Sequence, residues 1–460
     1  MSYAELQGLR GLTADSRDVA PGYLFAALPG GKHDGRLFIA EAVAKGAVAI
    51  LAPEGTIWPP GVPPRRLLLA QDVRAKLAEL AAAFYAPLPE RLVAVTGTNG
   101  KTSTVDFLRQ ILVMAGRKAA SIGTLGVIAP GHAPVGSLTT PDPVHLAQDL
   151  RVLADEHVSD VALEASSHGL AQRRLDGLRF TAAGFTNLTR DHLDYHGSMQ
   201  AYGAAKLRLF AMLLVRGGAA RVMVDLEPDI LAQIEDLAIK RDLDLKLVRV
   251  EQVVPRPDGQ LLQVEGQRVT LPLPGRFQAD NAVLAASLAH AMGVAGALSY
   301  LPRLQGVRGR LERVLVLPNG AAAYVDYAHT PDAIARVLSA LRPHTQGRLH
   351  IVFGAGGDRD AGKRPLMGAA AASGADVVVV TDDNPRSEDP AMIRKAILAA
   401  CPNGVEIPDR HTAIGTALAG LAPGDVLVVA GKGHEQGQIL KTEVIPFDDA
   451  TVIRQEGGAA

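Results

Sequence analysis

Cysteine is almost missing: Cys401 is the only one in 460 residues, which excludes an internal disulfide framework and fits a reducing compartment. Surplus charge is missing as well. A formal net charge of -1 gives no support for a nucleic-acid or polyanion binder. No run approaches the roughly 18 consecutive apolar residues of a membrane span. The opening MSYAELQGLRGL has no basic start followed by an apolar core, so a secretory leader is not expected. Internal repeats and low-complexity tracts are absent too. What remains is ordinary for a globular chain, 48% hydrophobic and 21% charged. It is too long for one core. A cytoplasmic, multidomain protein without membrane insertion is expected, and a monomer.

Short apolar runs such as Tyr23–Leu28 and Ala47–Leu51 are separated by the turn clusters Pro29-Gly30-Gly31 and Pro59-Pro60-Gly61, as in a small α/β unit. Pro87-Leu88-Pro89-Glu90 reads as a linker. Leu92–Thr96 then reads as a buried strand feeding a glycine turn and a helix from Thr102 to about Ala115. Strands and helices go on alternating, which predicts mostly parallel sheets. A second seam falls near Leu304–Gly309. Beyond it Leu349–Phe353, Ala375–Thr381 and Asp425–Ala430 read as buried strands ending in polar or glycine loops. Ligands of parallel sheets bind at such carboxyl ends. The reading is α/β with three domains, over 1–88, 89–308 and 309–460.

Strand, Gly97-Thr98-Asn99-Gly100-Lys101-Thr102-Ser103, helix is the order of a phosphate cradle. Glycines let backbone N–H groups point inward, and the helix start adds partial positive charge. Lys101 reaches terminal phosphates and the Thr102 hydroxyl suits Mg²⁺. The longer loop pattern wants a glycine where Val95 stands, so this is a shorter variant. With no Asn-Lys-x-Asp element to read guanine, ATP is the expected nucleotide. Downstream, Val161–His168 ends an apolar run in Glu164, a carboxylate placed where a magnesium ligand is wanted. Phe185–His192 repeats the arrangement with Asn187 and His192. Alone, Lys206 reads as a surface lysine and His196 as a surface histidine.

Together these segments resemble the Mur ligases, ATP-dependent amino-acid-adding enzymes of peptidoglycan synthesis. The resemblance runs nearly end to end. It takes in Asp15-Ser16-Arg17, the phosphate loop, Thr139-Thr140-Pro141, Glu164–His168, Asn187–His192, Tyr202–Lys206, Leu273–Phe277 with Asn281, and Gly309–Glu312. It continues through Asp326–Pro331, Gly357-Asp358-Arg359, Asp383–Arg386 and Gly431–Glu435. It implies a UDP-binding first domain, a P-loop ATPase-like second and a Rossmann-like third that carries the incoming amino acid. The implied reaction activates a carboxyl group as an acyl phosphate for attack by an amine. Carried over residue by residue, Thr102 and Glu164 match ligands of one Mg²⁺ and His192 of a second, and Lys206 matches a lysine that is carbamylated. Lys101, Lys206 and His192 would serve catalysis. Gly97–Ser103, Asn281, Arg310 and Asp326 would hold ATP. Ser16, Gly31, Lys32, His33, Thr139, Thr140, Ser166, Gln172 and Arg174 would hold the UDP-sugar peptide, UDP-MurNAc-L-Ala-D-Glu in the tripeptide-forming branch. Val224–Glu227 and Gln436-Gly437 depart from the family pattern without touching this chemistry.

Asp383-Asn384-Pro385-Arg386 follows a strand, and Arg386 offers a planar fork of donors suited to a carboxylate. A lysine or ornithine substrate would bring an ammonium there and be repelled. meso-Diaminopimelate brings a second amino-acid head. Arg359 would hold its other carboxylate, with Gly431 and Glu435 accepting from the distal ammonium and Asp383, Asn384 and Pro385 completing the loop. The bland alternative is an arginine capping a turn against Glu388 or Asp389. Gly354-Ala355-Gly356-Gly357 invites a dinucleotide reading, but the fingerprint's third glycine would fall on Arg359. Rivals are another ligase of the superfamily, such as the next Mur enzyme or a folylpolyglutamate synthase, and a P-loop regulator that ligates nothing.

Overall fold

The computed structural model describes residues 5–30, 34–132 and 138–458. The chain forms two compact units: 1–248 with 284–297, and 249–283 with 298–460. The helix Arg276–Ala291 contributes its first turns to one and its last to the other. Among the described residues no helix is long and apolar enough to cross a membrane.

The first unit holds two sheets. Gly11–Thr13, Tyr23–Ala26, Ala49–Pro53 and Arg66–Ala70 form a four-stranded parallel sheet in sequence order. Leu12, Leu24 and Leu51 of its strands share a core with Leu77 and Leu80 of the helix Val73–Phe84. The larger sheet runs Asp244–Val248, Leu214–Met223, Phe180–Phe185, Arg91–Thr96, Asp160–Glu164, Ala119–Gly123, Gly126–Ile128. Every pairing in it is parallel except the last. Arg91–Thr96 is central, and its fully buried Val93, Ala94 and Val95 read as the continuous apolar run of a strand covered on both faces. It opens into the glycine turn and the helix Lys101–Met114, one residue earlier than the sequence predicts. Glu164 lies opposite Val95 in the register, and Phe185 opposite Thr96. The loops after the two flanking strands therefore emerge beside the phosphate-loop candidate.

The second unit begins with an antiparallel sheet of Gln252–Arg256, Gly259–Val264 and Gln267–Leu271. Its main sheet runs Glu312–Val316, Ala322–Asp326, Val426–Ala430, Leu349–Phe353, Val377–Val380, Val405–Glu406, parallel except for the first strand. The expected strands are present: Leu349–Phe353 has the bounds read from the sequence, and the other two start or end one or two residues inside their runs. Their carboxyl ends deliver Asp326, Thr381–Arg386 and Gly431–Glu435 to one edge. Aspartate and threonine caps start the helices behind it: Thr330, Asp389, Asp409 and Asp448 each accept a backbone N–H of the first turn.

Candidate active site

In the phosphate-loop candidate, Gly97 (φ +146°) and Gly100 (φ +84°) take left-handed backbone. A Cβ at Gly97 would overlap the Thr186 hydroxyl. Asn187 clamps the loop, its Oδ1 accepting from Asn99 N (3.0 Å) and its Nδ2 donating to Asn99 O (3.1 Å). The helix Lys101–Met114 starts with no side-chain cap, and Thr102 and Ser103 are buried in its first turn. An uncapped helix start behind glycines fits a phosphate. Lys101 Nζ donates to Gly97 O (2.9 Å) and Thr98 O (2.8 Å).

Lys206 is not a surface lysine. It is 1% exposed on the helix Met199–Arg208, which Ser198 caps. Its Nζ donates to Gly97 O at 2.7 Å and lies 4.4 Å from the centre of the Tyr202 ring, one turn back. Burial, helped by the Lys101 charge, lowers its pKa to about 6. The Tyr202 hydroxyl donates to Thr98 Oγ1 at 3.1 Å, and burial raises its pKa to about 12. His196 is not a free surface histidine either: its ring packs on Tyr202 and Tyr195, and its Nε2 is buried without a partner. His192 adopts left-handed backbone and stands edge-on to His168, centroids 4.8 Å apart.

Lys101, Thr139, Thr140, Ser166, Arg174, His192 and Lys206 line one cleft of about 260 Å³, along with Leu138, Ser167, His168 and Tyr202. The Thr140 hydroxyl donates to Glu164 O (2.7 Å) and accepts from Ser166 N (3.0 Å). Ser166 caps the helix Ser167–Ala171 through Gly169 N. Arg174 donates to Thr140 O (2.5 Å) and to Gln172 Oε1 (2.7 Å). Glu164 is buried, its carboxylate accepting from Thr124 N at 2.8 Å, and a Cβ at Gly123 would overlap its Oε1. The buried Thr102 hydroxyl and the Glu164 carboxylate are hard oxygen donors, the chemistry Mg²⁺ takes. No group of three His, Cys, Asp or Glu shaped for a metal occurs among the described residues. Ser16 lies outside the cleft and donates to Glu41 Oε2 at 3.1 Å. Gly31, Lys32 and His33 fall outside the described residues. Sequence reasoning passed over Tyr202 and His168, though Tyr202 stands four residues before Lys206 on one helix face.

In the second unit, Asp326 accepts from Leu311 N (2.7 Å) and Ala328 N (2.8 Å), and burial raises its pKa to about 6. The Arg310 guanidinium stacks 4.9 Å over Tyr327, and its carbonyl accepts from Gln278 Nε2 at 3.0 Å. Gln278 is three residues before the buried Asn281 on one helix face. At the neighbouring strand ends, Asn384 Nδ2 donates to Glu435 Oε2 at 2.9 Å. Arg386 takes left-handed backbone and donates to Gly357 O at 2.9 Å. Its turn is not capped against Glu388, which pairs with Arg364 (2.8 Å), nor against Asp389, which caps the next helix. Arg359 is exposed on the facing loop. A Cβ at Gly431 (φ +114°) would overlap Asp383 Oδ2, so this position needs glycine for backbone and space alike.

Residues 9–85 match the Mur ligase family catalytic domain, 95–289 the Mur ligase middle domain, and 309–433 the Mur ligase glutamate ligase domain. The UDP-N-acetylmuramoyl-L-alanyl-D-glutamate--2,6-diaminopimelate ligase of Caulobacter vibrioides is 55% identical, over 97% of this chain and 95% of its own length. The Rhizobium meliloti protein of that name is 49% identical, over 97% and 94%. A solved structure of a ligase of that name superposes with a TM-score of 0.72 at 32% identity, covering 98% of this chain and 95% of that one. A Thermotoga maritima MurF ligase in complex with ADP shares the fold, with a TM-score of 0.61 at 18% identity, covering 92% and 94%. With all three domain matches in order and half its residues shared with full-length relatives, the chain belongs to the Mur ligase family.

Proposed function

We propose that this chain joins meso-diaminopimelate to UDP-MurNAc-L-Ala-D-Glu at the expense of ATP, in cytoplasmic peptidoglycan precursor synthesis. The observation that carries the reading is the shared cleft, where Lys101 and Lys206 meet Thr139, Thr140, Ser166 and Arg174. Groups that handle phosphate there face groups that hold a substrate carboxylate.

A carboxylate is a poor electrophile. Transfer of the terminal phosphoryl group of ATP to it gives ADP and an acyl phosphate. The diaminopimelate amine then attacks the carbonyl carbon, and the tetrahedral intermediate expels phosphate and leaves an amide and a proton. Such chemistry needs positioning and charge neutralisation more than a covalent enzyme nucleophile. In this reading the loop amides and Lys101 hold the phosphates, and Arg174 with the Thr139 and Ser166 hydroxyls orients the UDP-linked acid. Asn281, Arg310 and Asp326 take the adenosine end. Thr102 and Glu164 would hold one Mg²⁺ and His192 a second, and the metal ions supply charge neutralisation on the phosphates. Lys206 has the neutral, buried amine that addition to CO₂ requires, and its carbamate would put an anion able to bind metal beside the phosphate loop. Ser16, with Gly31–His33, would hold the UDP end.

Arg386 would meet the carboxylate of the second amino-acid head and Arg359 the other carboxylate, with Glu435 and the Gly431 carbonyl on the distal ammonium. Lysine and ornithine lack that carboxylate. The test is phosphate release and product mass with diaminopimelate, lysine and ornithine, each with UDP-dipeptide present and omitted. Amide product from diaminopimelate alone is expected. Arg386→Ala should lower kcat/KM for diaminopimelate about tenfold or more, the loss of an ionic hydrogen bond. ATP splitting that yields no UDP-linked tripeptide from any diamino acid would refute the reading.

A further inference from the structure

Of the Gly431-Lys432-Gly433-His434-Glu435 run, the proposed reaction uses the first and last residues and leaves Lys432 without a task. Yet Lys432 is fully buried at 0% exposure, an expensive place for an ammonium unless its partners are fixed. Its Nζ donates to Asn384 Oδ1 at 2.9 Å and lies 3.5 Å from Glu435 Oε2. Asn384 Oδ1 also accepts from Ile439 N at 2.9 Å. With two donors on Oδ1, the Asn384 amide has one orientation, and it turns Nδ2 onto Glu435 Oε2. The surroundings are otherwise charged on both sides. Asp383 and Asp449 add negative charge near Lys432, and Arg410 adds positive charge. Arg410 is itself held by Asp449 at 2.7 Å.

We propose that Lys432 is a positioning residue for the diamino-acid site: it locks Asn384 in the orientation that holds the Glu435 carboxylate in place for the distal ammonium of the substrate. Lys432 touches no substrate and acts through Asn384 and Glu435. The inference rests on the assignment of Glu435 to that ammonium.

The experiment compares Lys432→Met, Lys432→Gln, Glu435→Gln and the Met/Gln double variant, measuring KM for diaminopimelate, UDP-dipeptide and ATP separately in the full-length enzyme. Lys432→Met should raise the diaminopimelate KM about tenfold and leave the other two within about twofold. Adding it to Glu435→Gln should cost nothing further, because both act on one contact. Lys432→Gln keeps a donor for Asn384 Oδ1 and should fall between Met and wild type. It also carries the comparison should the methionine variant misfold. An unchanged diaminopimelate KM, a rise shared by all three substrates, or a full additive loss in the double variant would overturn the proposal. Failure of the underlying assignment has a separate signature, Glu435→Gln leaving the diaminopimelate KM where it was.

Discussion

Lys206 shows how far one residue's setting departs from its sequence. The run Tyr202–Lys206 contains nothing that marks a buried amine, because the burial comes from the loop at Gly97, more than a hundred positions earlier. That setting has a measurable cost. Between pH 6 and 10.5, the folded and free values, the unfolded chain holds a proton on Lys206 that the native state does not. Stability therefore rises with pH across this window and is reduced at neutrality. Lys206→Met should raise Tm by a few degrees at pH 7 in CO₂-free buffer, and the gain should vanish toward pH 10.5, where the amine is neutral in both states. The same variant should lose kcat by about a hundredfold or more, if a charge at that position stabilises the transition state. A variant both less stable and fully active would contradict this account of Lys206.

Strand ends were legible because parallel strands covered on both faces leave uninterrupted apolar runs, and Leu92–Thr96, Leu349–Phe353 and Asp425–Ala430 announce themselves. The hairpin sheet at 252–271 was not. Its two outer strands are largely exposed, and Gln, Arg or Pro breaks the apolar run in each of the three. Likewise the Asn384–Lys432–Glu435 contacts join the ends of two different strands, a proximity that sheet order fixes and sequence spacing does not. One prediction belongs to the ends of neighbouring strands, where Glu164 closes one and Gly123 the next. Gly123→Ala would push a methyl into Glu164 Oε1 and shift the carboxylate off Thr124. ATP turnover should fall about a hundredfold, the cost of a misplacement of about 1 Å, while Tm moves little. Unchanged turnover would remove Glu164 from the proposed metal site.

At the scale of the molecule, three family domains fold into two compact units, and the second contains a fully buried charge pair. Arg410 and Asp449 are both fully buried and bonded twice, at 2.7 and 2.8 Å. Arg410 also donates to Ala430 O at 2.9 Å, so the helix Asp449–Glu456 is tied to a strand end that opens the Gly431–Glu435 loop. Asp449→Ala leaves a buried guanidinium unpaired and should cost about 3–5 kcal/mol, read as a lower urea midpoint. A loss below about 1 kcal/mol would show that water reaches Arg410.

Lys101 and Lys206 both lean on one carbonyl, that of Gly97, and the Lys101 ammonium there repels a proton on Lys206. Whatever draws Lys101 outward relaxes that repulsion and makes Lys206 a stronger base, slower to capture CO₂. History then matters: enzyme given bicarbonate before nucleotide should start fast, and enzyme given nucleotide first should show a lag. Identical progress curves from the two orders of mixing would mean that the lysines do not sense each other.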